Sequence, residues 1–175
     1  MNKQWLYILC MVCLMAVTAC RRVRPQGAAN RTEPDSTALA LMEMNFRLAT
    51  EADHKLVERV QQENLPYVLD ISNFWYYREA PTDGREVKNG MHVVYTATVR
   101  NLDTNALIEE VEEEIEVGKR TTLRAIDICL PLMREGETFR LLAPYYNAYG
   151  RDGNEQVPPL TNVSILLTVN NITKI

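Results

Sequence analysis

Apolar residues along the chain follow two rhythms. From residue 38 to 63, Leu41, Leu48, Ala52, Leu56 and Val60 recur at steps of four or seven, with Met44 and Phe46 beside them. That is the stripe of an amphipathic helix. Asp35 or Ser36 is placed to cap it, and no glycine or proline interrupts it. Glu51 with Lys55 and Glu58 with Gln62 lie on the wetter side. After Pro66 the rhythm changes to period two. The run Phe74-Trp75-Tyr76-Tyr77 favours an extended strand. Val93, Tyr95, Ala97 and Val99 alternate with His92, Val94, Thr96 and Thr98, the pattern of a half-buried strand. Val111, Glu113, Ile115 and Val117 continue the alternation, and so do Val163, Ile165, Leu167 and Val169 near the end of the chain. Phe139 and Leu141 share a face of the strand after Gly136. Between these strands, Leu123, Ile126, Leu130 and Met133 predict a short helix, capped by Thr121 or Thr122 and weakened by Pro131.

The sum is an N-terminal helix followed by four or five antiparallel strands, with one short helix filling the concave side: an α+β domain. The predicted N-terminal helix packs on its own domain or on a second copy, and the pattern does not choose between them. Residues 145–159, YYNAYGRDGNEQVPP, hold Tyr145, Tyr146 and Tyr149, turn at Gly150 and Gly153, and stiffen at Pro158 and Pro159. That composition frames something concave and partly apolar.

Composition narrows the chemistry. Hydrophobic content of 46% and charged content of 24% fit a soluble globular protein. The net charge of -4 argues against a nucleic-acid partner. No metal or cofactor is expected, because His54 and His92 stand far apart and no paired cysteine motif follows the first segment. The glutamates between residues 109 and 116 alternate over both faces of their strand and lack the loop spacing of a calcium site, so they are read as a solvated, aggregation-resistant strand. Cys129, among Ile128, Leu130 and Leu132, is expected to be a buried structural thiol. His92 is read as a surface or packing residue, and the sequons at Asn30, Asn162 and Asn171 as chance.

The N-terminus carries its own signal. Lys3 precedes an apolar stretch too short to span a membrane comfortably, and the stretch ends in VTAC at residues 17–20. This resembles the lipobox of bacterial lipoproteins; an ordinary secretory peptide or an uncleaved anchor are the plainer readings. The resemblance implies cleavage after residue 19 and lipid attachment to Cys20, whose chains would hold the protein on the bilayer. Residues 20–37 then form the lipidated cysteine and a polar tether, residues 38–66 a helical arm, and residues 67–175 the domain. The arginines at positions 21 and 22 favour the outer membrane, with the domain in the periplasm.

Over about residues 80–175, the ordered set GMHVVYT from Gly90, GETFRLLAP from Gly136, AYG from Ala148, VPP from Val157 and VSILLTV from Val163 resembles the FKBP-type peptidyl-prolyl isomerase domain. The lipobox, helical arm and FWYY run ahead of it resemble FKBP-like lipoproteins of the Bacteroidetes, including those associated with gliding motility. The first resemblance implies a curved antiparallel sheet wrapped around a short helix, with a substrate proline entering an apolar pocket between them. It implies catalytic roles for Tyr149, as hydrogen-bond donor to the carbonyl flanking the proline, for Tyr95 and for Glu109, which stands where the family has aspartate. Ile108, Leu123, Ile126, Val157 and Ile165 match pocket positions, with Ile126 and Ile165 standing where the family commonly has tryptophan and phenylalanine. The implied function is modest prolyl isomerisation of envelope proteins, because isoleucine supplies no flat ring face. The alternatives are a non-catalytic chaperone or binding module and a structural lipoprotein of an envelope or gliding complex. The implied partners are proline-containing segments, the bilayer through Cys20, and a second copy through residues 38–63.

Overall fold

The computed structural model describes residues 35–173. The expected signal peptide, Cys20 and nearly all of the expected tether therefore lie outside the described residues, as does the sequon at Asn30. Residues 42–175 form one compact unit.

Helix α1 runs from Ser36 to Glu63, two residues longer at its start than the periodicity predicts. Asp35 caps it: its carboxylate accepts the backbone N–H of Thr37 at 3.4 Å. The strands are β1 (Val68–Leu69), β2 (Trp75–Ala80), β3 (His92–Asn101), β4 (Leu107–Glu116), β5 (Thr138–Ala143) and β6 (Val163–Thr173). Between β4 and β5 lies helix α2 (Arg124–Cys129), which tightens into a 3-10 turn at Leu130–Leu132, where Pro131 lacks the N–H to continue an α-helix. The sheet has six strands in the order β1-β2-β5-β6-β3-β4, every pair antiparallel. The expected four or five strands are thus one short, because β1 has two residues and no alternation to reveal it.

Alternation sorts the sheet into two faces. Val93, Tyr95, Ala97 and Val99 of β3, Phe139 and Leu141 of β5, and Val163, Ile165, Leu167 and Val169 of β6 are all fully buried. They join Ala125, Ile126, Cys129 and Leu130 in one core, so α2 fills this face as expected. Phe74 and Tyr76 add aromatic mass, with Tyr76 stacked on Phe139 at 5.6 Å between centroids. Register shifts at Val94/Tyr95 and Val99/Arg100 bend β3 against its neighbours. Gly136 and Glu137 lock β5 to β6: the Gly136 N–H donates to the Val169 carbonyl, and Val169 N–H returns a bond to Glu137. The buried Glu137 carboxylate accepts the Arg134 N–H at 2.7 Å and faces Arg78 at 3.5 Å.

The opposite face takes the second half of α1. Leu56 packs with Leu102 and Leu142, flanked by Val60, Tyr67 and Trp75. The helix therefore packs on its own domain, but only through part of the predicted stripe. Leu41 and Phe46 are exposed, Phe46 to 73%, and Ala52 and Leu56 are the buried pair. In the first half of the helix the predicted stripe is not buried: Leu41 is exposed and Leu48 half-buried.

Two smaller expectations change. Neither Thr121 nor Thr122 caps α2. Its N-cap is Leu123, without a side-chain bond, because the Thr122 hydroxyl is engaged by Tyr95. Cys129 is buried as expected, and burial pushes its thiol far above the ordinary range.

The Leu56→Ala substitution is expected to destabilise the domain by about 2–5 kcal/mol, as large-to-small changes at buried leucines do. A lowered urea midpoint with an unchanged slope is the measurement that checks it.

Candidate functional site

The face of the sheet that carries α2 also carries the family-matched residues. Strand β4 pairs with β3 so that Glu109 faces Val99, Val111 faces Ala97, Glu113 faces Tyr95 and Ile115 faces Val93. Since those β3 residues point into the core, Glu109 and Glu113 are the two glutamates of β4 turned toward it. Glu110, Glu112, Glu114 and Glu116 lie on the other face, where Glu114 stands 3.8 Å from His92 and Glu116 3.5 Å from Lys119. Both faces do carry glutamates, as read from the sequence; on the inward face Glu109 is half-buried and Glu113 exposed.

Each inward glutamate takes a tyrosine hydroxyl. Tyr149 donates to Glu109 Oε1 at 2.5 Å. Tyr95 donates to Glu113 Oε2 at 2.7 Å, with Thr122 Oγ1 2.8 Å away on its other side. The two tyrosines differ in access: Tyr95 is fully buried, whereas Tyr149 is half-buried. Burial and then the bond to Glu109 raise the Tyr149 hydroxyl well above the ordinary phenol range. Burial and then the bond to Glu113 do the same for Tyr95. Both hydroxyls are therefore protonated donors at any physiological pH.

The apolar lining is assembled from several elements. Ile126 of α2 and Ile165 of β6 lie in the core, 2% and 0% exposed. Ile108, Val111, Leu123, Ile128, Ala148 and Tyr149 are half-buried and pack against that core. Val157 is buried at 1% while Pro158 and Pro159 are exposed.

The loop that supplies Tyr149 and Val157 is braced by its own polar groups. Asn154 Oδ1 accepts the N–H groups of Gln156 and Val157, and Thr161 donates to the Pro158 carbonyl. Gly153 is required where it stands: its φ is +68°, and an added Cβ would lie 2.1 Å from the Val157 carbonyl oxygen.

The three tyrosines at the head of this loop do not act together. Tyr145 and Tyr146 pack edge to face at 5.2 Å, and Tyr146 donates to Asp53 of α1, with Asn73 2.9 Å away. Burial and then Asp53 push the Tyr146 hydroxyl up to about 12. Asn147 donates to the Ser72 carbonyl, and Asn162 accepts the Tyr145 N–H. These residues clamp the loop base to α1 and to the turn before β2, leaving Tyr149 as the one that faces the lining. Sequence reasoning missed Glu113 and Thr122 as partners of Tyr95. Their cross-strand positions opposite a core tyrosine were the available signal for Glu113; none existed for Thr122.

Residues 78–166, just over half the chain, match the family described as FKBP-type peptidyl-prolyl cis-trans isomerase. Solved structures with a similar fold include a peptidyl-prolyl cis-trans isomerase from Pseudomonas syringae pv. tomato. That protein superimposes with a TM-score of 0.62 at 13% identity, over 73% of this chain and 95% of its own. AtFKBP13 gives 0.56 at 14% identity, over 61% and 98% of the two chains. The N-terminal domain of FKBP42 from Arabidopsis thaliana gives 0.55 at 19% identity, over 61% and 91%. At these identities the likenesses establish the fold. No curated protein sequence matches the chain.

Raised tyrosine hydroxyls have a consequence at alkaline pH. A phenol whose folded pKa lies above its unfolded value of about 10 stabilises the fold fully below that pH, and the contribution is lost as pH rises toward the folded value. Alkaline titration followed by tyrosinate absorbance is expected to show delayed ionisation that comes abruptly with unfolding; Tyr149→Phe should remove part of the delayed signal. Smooth ionisation of all tyrosines near the ordinary value, with the fold intact, would contradict the two hydroxyl–carboxylate bonds.

Proposed function

The chain belongs to the FKBP-type peptidyl-prolyl cis-trans isomerase family, and on that premise we propose that it catalyses prolyl isomerisation, at modest rate, on polypeptide clients in the bacterial envelope. The observation that carries this reading is the protonated Tyr149 hydroxyl set at the edge of an apolar lining. Rotation about the bond preceding proline must overcome roughly 18–20 kcal/mol, because amide resonance is lost in the twisted state. No nucleophile, metal or proton relay is needed. A site lowers the barrier if it strips water from the imide and contacts the twisted form better than the planar ones.

Tyr149 is the donor for the carbonyl that flanks the proline, and Tyr95 fixes the wall behind it. Glu109 and Glu113 hold the two hydroxyls in place. Ile108, Leu123 and Val157 bound the opening, and Ile126 with Ile165 forms the floor. Isoleucines exclude water but present no rigid ring face to pyrrolidine, and the aromatic mass of the core sits instead at Phe74, Tyr76 and Phe139. Weak proline capture follows. The hydroxyl that should serve substrate is also engaged by Glu109, and a hydrogen bond to a charged group is worth about 1.5–3 kcal/mol net. That engagement favours a second reading, a binding or chaperone module that holds proline segments without turning them over.

The setting is proposed from sequence. The VTAC signal supports lipid attachment at Cys20 and a periplasmic domain tethered by residues 20–37, with the outer membrane favoured by Arg21 and Arg22. The order of lipobox, helical arm and FWYY run supports kinship with Bacteroidetes lipoproteins, including those of gliding motility. The exposed Met42 and Phe46 of α1 are consistent with a homodimer through residues 38–63.

Cis/trans exchange in a proline peptide, measured by NMR without a coupled protease, tests the activity. The protein is expected to accelerate exchange, and Tyr149→Phe to reduce the acceleration about tenfold, the effect of about 1.4 kcal/mol on the barrier. Absence of acceleration by the unaltered protein, with peptide binding retained, would establish the binding module in its place.

A further inference from the structure

The Tyr149–Glu109 bond raises a problem whose solution bears on substrate choice. A phenol has one proton and donates it to one acceptor at a time. In this structure the acceptor is a carboxylate at 2.5 Å. A peptide carbonyl is neutral, and charge-assisted hydrogen bonds are roughly twice as strong as neutral ones. Such a carbonyl loses the competition unless something else satisfies Glu109.

We propose that Glu109 makes the site selective for prolines preceded by lysine or arginine, because a cationic neighbour pairs with Glu109 and frees the Tyr149 hydroxyl for the client carbonyl. The proposal rests on the isomerase reading of the same site and names the client class that reading leaves open.

Four observations carry it. Tyr149 is half-buried and its hydroxyl has a single partner, so it can change acceptors, whereas Tyr95 is fully buried and held by both Glu113 and Thr122. The switch therefore belongs to Glu109 alone. Second, among the described residues no lysine, arginine or histidine lies within ion-pair distance of Glu109, while Glu114 and Glu116 on the outer face of the same strand have His92 and Lys119 close by. Third, Glu113 on the same face is engaged by Tyr95 and shares a hollow with Lys119, so the carboxylate left for an incoming cation is Glu109. Fourth, Arg120 and Arg124 border a hollow of about 420 Å³ with Thr122, Asp127 and Ile128, and Thr122 touches the Tyr95 that binds Glu113, so these arginines stand toward the Glu113 end of β4 and not at Glu109. A client's cation is thus directed to Glu109, the carboxylate that holds Tyr149.

The aliphatic stem of lysine or arginine suits the position, since it can lie along the apolar rim while the charged head reaches the carboxylate. Aspartate at this position would place the carboxylate one methylene further back; glutamate brings it to the hydroxyl.

The test is a set of Ala-Xaa-Pro-Phe peptides with Xaa as lysine, arginine, leucine or glutamate, exchanged by the full-length protein, its Glu109→Gln variant and a control, Glu112→Gln, altered on the outer face of β4. The expected result is kcat/KM about tenfold higher for lysine and arginine than for leucine, and lowest for glutamate. In Glu109→Gln the preference should collapse because the leucine peptide rises, while Glu112→Gln keeps the original ranking. Raised salt should shrink the preference in the unaltered protein. Equal rates for lysine and leucine, or a preference that survives in Glu109→Gln, overturn the proposal while leaving the isomerase reading standing. If none of these proteins accelerates exchange, that reading falls, and the preference is read from peptide titrations of the Tyr149 ring resonances. Tighter binding of the lysine peptide that is lost in Glu109→Gln then sustains it, and equal binding ends it. Should the glutamine variant fail to fold, Glu109→Ala gives the same readings.

Discussion

A carboxylate on the inward face of a strand must find donors or leave. Strand β4 places the half-buried Glu109 and the exposed Glu113 on the face that buries Ile115, and each accepts a tyrosine hydroxyl. The rest of the site depends on this arrangement. It fixes the rings of Tyr95 and Tyr149, it sets Thr122 against Tyr95 and so removes it from the α2 cap, and it holds the open edge of the sheet against the apolar lining. Unpartnered edges invite pairing with other chains, and the four outward glutamates of β4 discourage it. One strand thus serves solubility with one face and the site with the other.

The scaffold behind the site is divided by the sheet. On one face, α2 closes the core through Ala125, Ile126, Cys129 and Leu130; on the other, Leu56 of α1 meets Leu102 and Leu142. The two are linked through the base of the loop that carries Tyr149. Tyr146 and Asn147 tie that base to Asp53 and Ser72, while Asn162 holds Tyr145 and approaches the α1 backbone at 3.5 Å. The helix is therefore more than an arm preceding the domain. It anchors the segment from which Tyr149 projects, so the position of the donor depends on contacts made on the far side of the sheet.

How much of this was readable before the fold was known follows from the physics of each signal. Period-two alternation in β3 and β6 reports burial of one face directly, and all eight inward residues it named in those strands are fully buried. The α1 stripe also reports amphipathicity, but periodicity cannot say how long a surface the partner offers, so the exposure of Leu41 and Phe46 was not readable. The two-residue β1 carries no pattern. Tyr145, Tyr146 and Tyr149 look alike in sequence, and only the backbone path through the 3-10 turn at Tyr145–Asn147 sends the first two toward α1. Of the residues matched to the family's pocket, Tyr95, Ile108, Leu123, Ile126, Tyr149 and Ile165 belong to one core cluster. What no local pattern could show is that Glu109 and Tyr149, forty positions apart, satisfy each other.

That mutual satisfaction changes what kind of site this is. A prolyl site with a free hydroxyl over a ring-lined floor captures proline by shape and donates at once. On the isomerase reading proposed above, a floor of Ile126 and Ile165 and a donor engaged by Glu109 would make shape recognition weaker, and the hydroxyl would have to be released first. On that reading both features act in the same direction: they would shift discrimination from the proline ring, which every client shares, to what stands beside it. An apolar floor that cannot stack leaves electrostatics at the rim as the strongest source of difference between clients, because charge interactions at a partly desolvated edge exceed those in bulk water. On the proposed reading, the isoleucines beneath the site and the carboxylate that holds its donor act together: selectivity would come from the flanking residue, and turnover would be limited by the exchange of a single hydrogen bond.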